Sequence, residues 1–255
     1  MIHVRVLKIG GRPQQDPAVL DALRLAWLAA PGSFVLVHGG GDELSTLQRA
    51  FGREPQFIAG RRVTDDADID LVRMTLSGAA NKRLVSALAD ARAVGISGED
   101  GGVLRAVRTS DQALGRVGVP AASDPALLRL LLSAGHLPVV SPVAQSTEDG
   151  GAYNVNGDDA AAAIAVGLGA SELVLVSDVA AVLDHGAPLA SLTAEDARAM
   201  IADGRASGGM VPKLDAALLA LARGVPRVRI GNLTAIHSRE AGTVVHAAAF
   251  EGSPQ

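Results

Sequence analysis

Ile2-His3-Val4-Arg5-Val6-Leu7-Lys8-Ile9-Gly10-Gly11 is a short apolar run broken by a glycine pair. A run that stops at a turn before reaching helical length reads as a strand of a buried sheet. A helical pattern follows from about Asp16 to Ala30, with Asp16 placed to cap it and Pro17 in its first turn. The unit then repeats. Ser33 to Val37 is strand-like, His38-Gly39-Gly40-Gly41 turns the chain, and Asp42 to Phe51 is helical. Strands alternating with helices predict an α/β fold whose mostly parallel sheet is covered on both faces.

The same alternation runs outward from this stretch. Residues 57–64 read as irregular or hairpin-like, and one long helix is expected over 66–91. Ala93 to Ser97 reads as a strand, and 103–108 with 115–119 suggest a local antiparallel excursion. A helix over 124–134, a strand over 137–143 and an Ala-rich helix over 158–168 follow. Strand 173–177, helix 193–203, a helix from Ser207-Gly208-Gly209 through Lys213 to about Ala222, and strands 227–230 and 243–246 complete the pattern. With no fixed-period repeat or linker, 1–255 is expected to form a single domain with lobes over about 1–170 and 171–255.

Composition narrows the function. The chain is 48% apolar but only 2% aromatic, so its core is built from Ala, Val, Leu and Ile. The net charge is −4 and the basic residues are scattered, which argues against nucleic acid as a partner. There is no cysteine, which fits a reducing compartment. The start lacks a long apolar leader, and no apolar stretch reaches the roughly 20 residues needed to cross a bilayer. A cytoplasmic protein without membrane contact is expected. Only Lys8, Lys82 and Lys213 are lysines among 23 basic residues. Positions that keep Lys in an Arg-rich chain are candidates for work that needs a compact ammonium rather than a planar fork.

Glycines mark three strand-to-helix corners: Gly10-Gly11, Gly39-Gly40-Gly41 and Gly208-Gly209. One such turn alone serves chain reversal. Three on one sheet edge, two with a lysine nearby, point to an anion held by backbone amides and helix N-termini. The P-loop and dinucleotide glycine patterns are both absent. Lys8 and Lys213 with converging amides suit phosphoryl transfer, which needs positioning and charge neutralisation more than a protein nucleophile. Asp158 opens a helix, where Asp is commonly a plain N-cap; between two lysines it can also hold them in place.

These residues carry a resemblance. Lys8-Ile9-Gly10-Gly11, His38-Gly39-Gly40-Gly41, Gly60-Arg61-Arg62-Val63-Thr64-Asp65 and Asn81-Lys82-Arg83-Leu84-Val85 stand in the order seen in N-acetylglutamate kinases of the amino-acid kinase family. So do Gly95-Ile96-Ser97-Gly98-Glu99-Asp100-Gly101, Tyr153-Asn154-Val155-Asn156-Gly157-Asp158, Ser177-Asp178-Val179 and Gly209-Met210-Val211-Pro212-Lys213. The resemblance spans essentially the whole chain. It implies a three-layer αβα sandwich, carbamate kinase-like, whose N-terminal lobe binds the acyl-amino-acid and whose C-terminal lobe binds ATP.

By matched position, Lys8, Lys213 and Asp158 would form the catalytic centre. Gly40, Gly41, Arg62 and Asn154 would bind N-acetyl-L-glutamate. Gly10, Gly11, Ser177, Asp178, Leu183, Ser207 and Gly209 would bind the nucleotide, within the stretches 178–183 and 205–209. Mg2+ would arrive with ATP, so no protein metal site is expected. The product would be the γ-acyl phosphate, a step of arginine biosynthesis. His38 is read as structural and Lys82 as packing or interface.

Three departures stand out: Ala180-Ala181 where a glycine is usual, Glu99 where a lysine is common, and a short 232–242 segment. No extra helix precedes the first strand, so by resemblance a homodimer without strong arginine feedback is expected. The nearest rival is a kinase acting on 2-aminoadipate or glutamate linked to a carrier protein. Gly60-Arg61-Arg62-Val63-Thr64 favours the free N-acetyl acid. A non-catalytic amino-acid-binding relic would not need both lysines, and an NAD-binding protein lacks its fingerprint.

Overall fold

The structure, a computed structural model, describes residues 3–11 and 13–247. Ile2, where the first strand was expected to start, lies outside the described residues.

Eight strands make the central sheet: β1 (Arg5–Ile9), β2 (Phe34–His38), β3 (Ala93–Ser97), β4 (Leu137–Ser141), β5 (Glu172–Val176), β6 (Ser191–Thr193), β7 (Val228–Gly231) and β8 (Thr243–His246). Their spatial order is β6-β8-β7-β5-β1-β2-β4-β3. Every neighbouring pair is parallel except β7 with β8. Strands β2, β4 and β5 are buried along their whole length, as a parallel sheet covered on both faces requires. The mostly parallel α/β fold is therefore the one expected.

Nine helices are described: α1 (Pro17–Ala29), α2 (Gly41–Ala50), α3 (Asp66–Val72), α4 (Asn81–Ala87), α5 (Ala126–Ser133), α6 (Gly157–Leu168), α7 (Ala194–Ala202), α8 (Met210–Ala222) and α9 (Thr234–His237). Helix α1 starts as its sequence dictates, with Asp16 accepting from Ala18 N and Pro17 following. Helix α6 packs against α8 and against β1 and β5. Its residues Ala160 to Ile164 are all buried, and their small side chains let the helix lie close to the sheet.

The structure departs from the sequence reading in several places. The long helix over 66–91 is interrupted: α3 passes through a π-helical stretch, Arg73–Ala80, before α4, and a 3-10 turn, Ala89–Ala91, follows. The strand expected over 137–143 is two strands. It breaks at Pro142, and Val143–Ser146 leaves the sheet. That segment closes a small four-stranded barrel with Arg105–Arg108, Val117–Ala122 and Ala152–Val155, where only an antiparallel excursion was expected. The edge strand β6 and α9 were not foreseen; each is four residues long or shorter.

The barrel matters for position. Its last strand, Ala152–Val155, runs directly into Asn156 and α6, so it delivers its end to the carboxyl edge of the sheet.

Candidate active site

Lys8 lies near the carboxyl end of β1, and Asp158 in the first turn of α6. Asn156 caps that helix, its Oδ1 accepting from Asp158 N at 2.8 Å. The cap aims the Asp158 side chain at β1. Lys8 Nζ stands 2.9 Å from Asp158 Oδ1, an ion pair outside hydrogen-bond alignment. From α8, Lys213 Nζ donates to Asp158 Oδ2 at 3.2 Å. Both Lys8 and Asp158 are buried. Burial works against the charge on Asp158, but Lys8 and Lys213 outweigh it and hold its carboxyl below the usual range. Burial also lowers Lys213, and Lys8 lowers it further, while Asp158 pulls it back up.

Gly157 lies close against Lys8: a Cβ there would meet Lys8 Cε at 3.1 Å, so a side chain at 157 would press on the lysine. At Gly40 a Cβ would meet Leu76 Cδ2 at 2.6 Å. Helix α2 begins just beyond, and among the described residues no side chain caps it.

Two cavities meet at this centre and share Gly11 and Gly41. The first, about 240 Å3, is lined by Lys8, Gly40, Gly41, Arg62, Asn154 and Asn156 among others. The second, about 300 Å3, is lined by Gly10, Gly11, Ser177, Asp178 and Lys213 among others. Two ammonium groups thus stand at the junction around one shared carboxylate, while Asp178 also lines the second cavity. Such a junction can stabilise charge building on a group passing from one cavity to the other.

Arg62 is buried and held by Gln48 Oε1, by Gly41 O at 2.7 Å and by Ser45 Oγ at 2.8 Å. Its guanidinium also lies 4.7 Å from the Phe57 ring centroid. Burial lowers its pKa, which Asp68 and Asp42 partly offset. All three of its described hydrogen-bond partners are neutral, so a buried charge stands at the cavity wall. Asn154 Nδ2 donates to Thr64 Oγ1 at 3.0 Å, which fixes its amide at the same wall.

The structure thus brings together eleven of the fourteen residues singled out from the sequence. Leu183, Ser207 and Gly209 line neither cavity. Leu183 lies on an exposed hairpin with Ala187–Pro188, and Arg205 Nη1 ties that hairpin to the turn before α8 through Asp184 at 3.2 Å. The sequence reading passed over Asn156, Arg61 and Phe57, all of which line the first cavity. Asn immediately before a Gly-Asp helix start was a legible cap signal for the first of these.

His38 is fully buried at the end of β2. Its Nδ1 contacts Gly39 O at 2.8 Å and its Nε2 contacts Asn81 Nδ2 at 3.2 Å. Burial pushes its pKa down to about 4, so it is neutral, donating from Nδ1 and accepting at Nε2. Lys82 Nζ donates to Gly95 O at 2.9 Å, a structural bond away from the cavities.

The sequence profile of the Amino acid kinase family matches residues 3–232, and the chain belongs to that family. Its curated relatives include the acetylglutamate kinase of Chloroflexus aurantiacus, 44% identical over 241 residues, covering 93% of this chain and 95% of that one. Among solved structures it is similar to smu.665 from Streptococcus mutans, with a TM-score of 0.84 and 30% identity over 97% of this chain and 100% of that chain. It is also similar to N-acetylglutamate synthase from Neisseria gonorrhoeae complexed with coenzyme A and N-acetyl-glutamate, with a TM-score of 0.79 and 27% identity. That likeness covers 97% of this chain and 60% of the synthase.

Proposed function

We propose that this chain transfers the γ-phosphoryl group of ATP to the side-chain carboxylate of N-acetyl-L-glutamate, forming the γ-acyl phosphate used in arginine biosynthesis. The observation that carries this reading is the Lys8–Asp158–Lys213 ion-pair centre at the junction of two cavities. The acetylglutamate kinase relatives supply the acceptor's identity.

In this reading the first cavity takes the acceptor. Arg62, a buried cation with neutral partners, takes the α-carboxylate, and Asn154 helps to orient it. The γ-carboxylate then faces Lys8 and the Gly40-Gly41 amides. It is already ionised at neutral pH, so no general base is needed. The neutral, fully engaged His38 agrees with that.

ATP occupies the second cavity, where Gly10 and Gly11 approach its phosphates and Lys213 reaches the γ-phosphoryl group. Mg2+ would come with the nucleotide and would supply charge neutralisation at its phosphates. Ser177 and Asp178 flank the phosphates, and Leu183, Ser207 and Gly209 form the outer rim toward the adenosine. The two ammonium groups neutralise charge on the transferring group, and Asp158 keeps them apart and in place. The lobe of residues 1–170 thus serves the acceptor and that of 171–255 the nucleotide. By resemblance the working state is a cytoplasmic homodimer, which sedimentation checks.

The test is Mg- and ATP-dependent acyl phosphate formation, trapped with hydroxylamine, offering N-acetyl-L-glutamate, N-acetyl-2-aminoadipate and free glutamate. A clear preference for N-acetyl-L-glutamate supports the reading. No turnover with any free acid would discard it in favour of a carrier-linked acceptor.

A further inference from the structure

Arg61 neighbours Arg62 on a hairpin at the first cavity, yet its partners are of another kind. The hairpin pairs Phe57–Ile58 with Arg61–Arg62, and Ala59 and Gly60 have φ of 47° and 76°. Two successive residues with positive φ make a tight turn, so both arginines leave a rigid tip. Arg61 Nη2 stands 2.9 Å from Asp159 Oδ2. Asp159 follows Asp158 in the first turn of α6 and is buried. Burial raises the Asp159 pKa, and Arg61 opposes that rise. The pair therefore ties the hairpin to the helix turn that carries the ion-pair centre.

Arg61 Nη1 is buried and has no hydrogen-bond partner among the described residues. Arg61 lines the first cavity together with Arg62. A buried donor left without an acceptor carries a desolvation cost, larger when it is charged. A ligand oxygen in that cavity would remove the cost. The guanidinium is a planar fork, so fixing Nη2 on Asp159 fixes the direction in which Nη1 points. A carboxylate has about four lone-pair sites, enough for donors from two arginines.

We infer that Arg61 is a specificity-determining residue of the acceptor site: its Nη1 donates to the acceptor carboxylate that stays unphosphorylated, while Nη2 remains on Asp159. This rests on the acceptor assignment made above. Arg62, whose hydrogen-bond partners are neutral, supplies charge to that carboxylate, and Arg61, already paired, supplies direction.

The experiment measures kcat and KM with N-acetyl-L-glutamate and with its α-carboxamide analogue, in wild type, Arg61→Leu, Arg61→Lys and Arg62→Gln. Arg61→Leu is expected to raise the KM for N-acetyl-L-glutamate about tenfold or more, leaving the KM for ATP in place. Its kcat/KM preference for the carboxylate over the carboxamide falls by a similar factor. Arg61→Lys keeps an ion pair to Asp159 but lacks the second arm of the fork. It shows the same loss of preference with the fold retained, which covers the case in which the leucine variant does not fold. Unchanged KM in both Arg61 variants, or an equal loss with both acceptors, overturns the inference. If Arg62→Gln alone raises the KM, the acceptor assignment stands and the role of Arg61 falls. If wild type phosphorylates no N-acylated dicarboxylate, both fall together.

Discussion

Lys8 Nζ stands 2.9 Å from Asp158 Oδ1, a contact that joins the carboxyl end of β1 to the first turn of α6. Lys213 takes the other oxygen from α8, so three separate elements converge on one carboxylate. Replacing Asp158 by Asn keeps the shape and removes the charge that separates two ammonium groups. Asp158→Asn is expected to lower kcat by about a hundredfold or more, by steady-state kinetics on a protein whose melting shows it folded. Full activity in that variant would reduce Asp158 to a helix-start residue.

The environment of Lys213 predicts a pH profile. Burial and the Lys8 charge lower its pKa from the ordinary 10.5, and Asp158 resists them. The ammonium form is the one that neutralises phosphate, so activity falls as pH rises through the lowered value. The alkaline limb of kcat/KM, which reports the free enzyme, is expected below 10.5, and lower still in Asp158→Asn. A limb at or above the ordinary lysine value would show that Lys213 is not the titrating group.

His38 predicts an acid limit to stability. Its folded pKa is about 4 against an ordinary 6.5, so the unfolded chain binds its proton first. The stabilisation is full above 6.5 and is lost progressively as pH falls from there toward 4, about 3 kcal/mol in all at most. Urea unfolding at pH 7.5 and pH 5 should show a drop in wild type and a smaller drop in His38→Gln. Equal drops in both proteins would assign the effect to other groups.

At the opposite end of the strands, Arg229 is fully buried and pairs with Glu172 through two bonds of 3.0 Å. Removing one partner leaves a buried cation without its counter-charge. Glu172→Gln is expected to cost about 3–5 kcal/mol, read from the denaturant midpoint. A loss under about 1 kcal/mol would mean that Arg227 and the loop carbonyls at Ser238 and Ala241 do not depend on that carboxylate.

A packing test comes from Gly95 on β3, where a Cβ would fall 1.9 Å from Asn81 Oδ1. Asn81 is buried and its Nδ2 bonds Val139 O at 2.9 Å as well as His38. Gly95→Ala is expected to destabilise the fold by about 2–4 kcal/mol. Wild-type stability in that variant would mean the Asn81 network relaxes freely.

Much of this was legible in the sequence because local signals agreed with the fold. The run at β1 stopped at glycines, Asp16-Pro17 started α1, and the scarcity of lysine pointed to Lys8 and Lys213. The π-helical stretch Arg73–Ala80 was not legible, since a shift of hydrogen-bond register leaves the residue types unchanged. Pro142 was a visible break signal, but nothing local showed that Val143–Ser146 would close a barrel with strands far along the chain. The pairing of Arg61 with Asp159 likewise joins residues whose proximity only the tertiary fold decides. Leu183 and Ser207 were named from the resemblance and Gly209 also from its glycine pair, which turns out to join α7 to α8 rather than a strand to a helix; all three stand outside both cavities.

The most direct test of the central claim is kcat with saturating MgATP and N-acetyl-L-glutamate in wild type, Lys8→Ala and Lys213→Ala, each checked for folding. The account predicts turnover in wild type and a loss of about a hundredfold or more in each variant. Variants that keep wild-type kcat would contradict it, because phosphoryl transfer would then not pass between these two lysines.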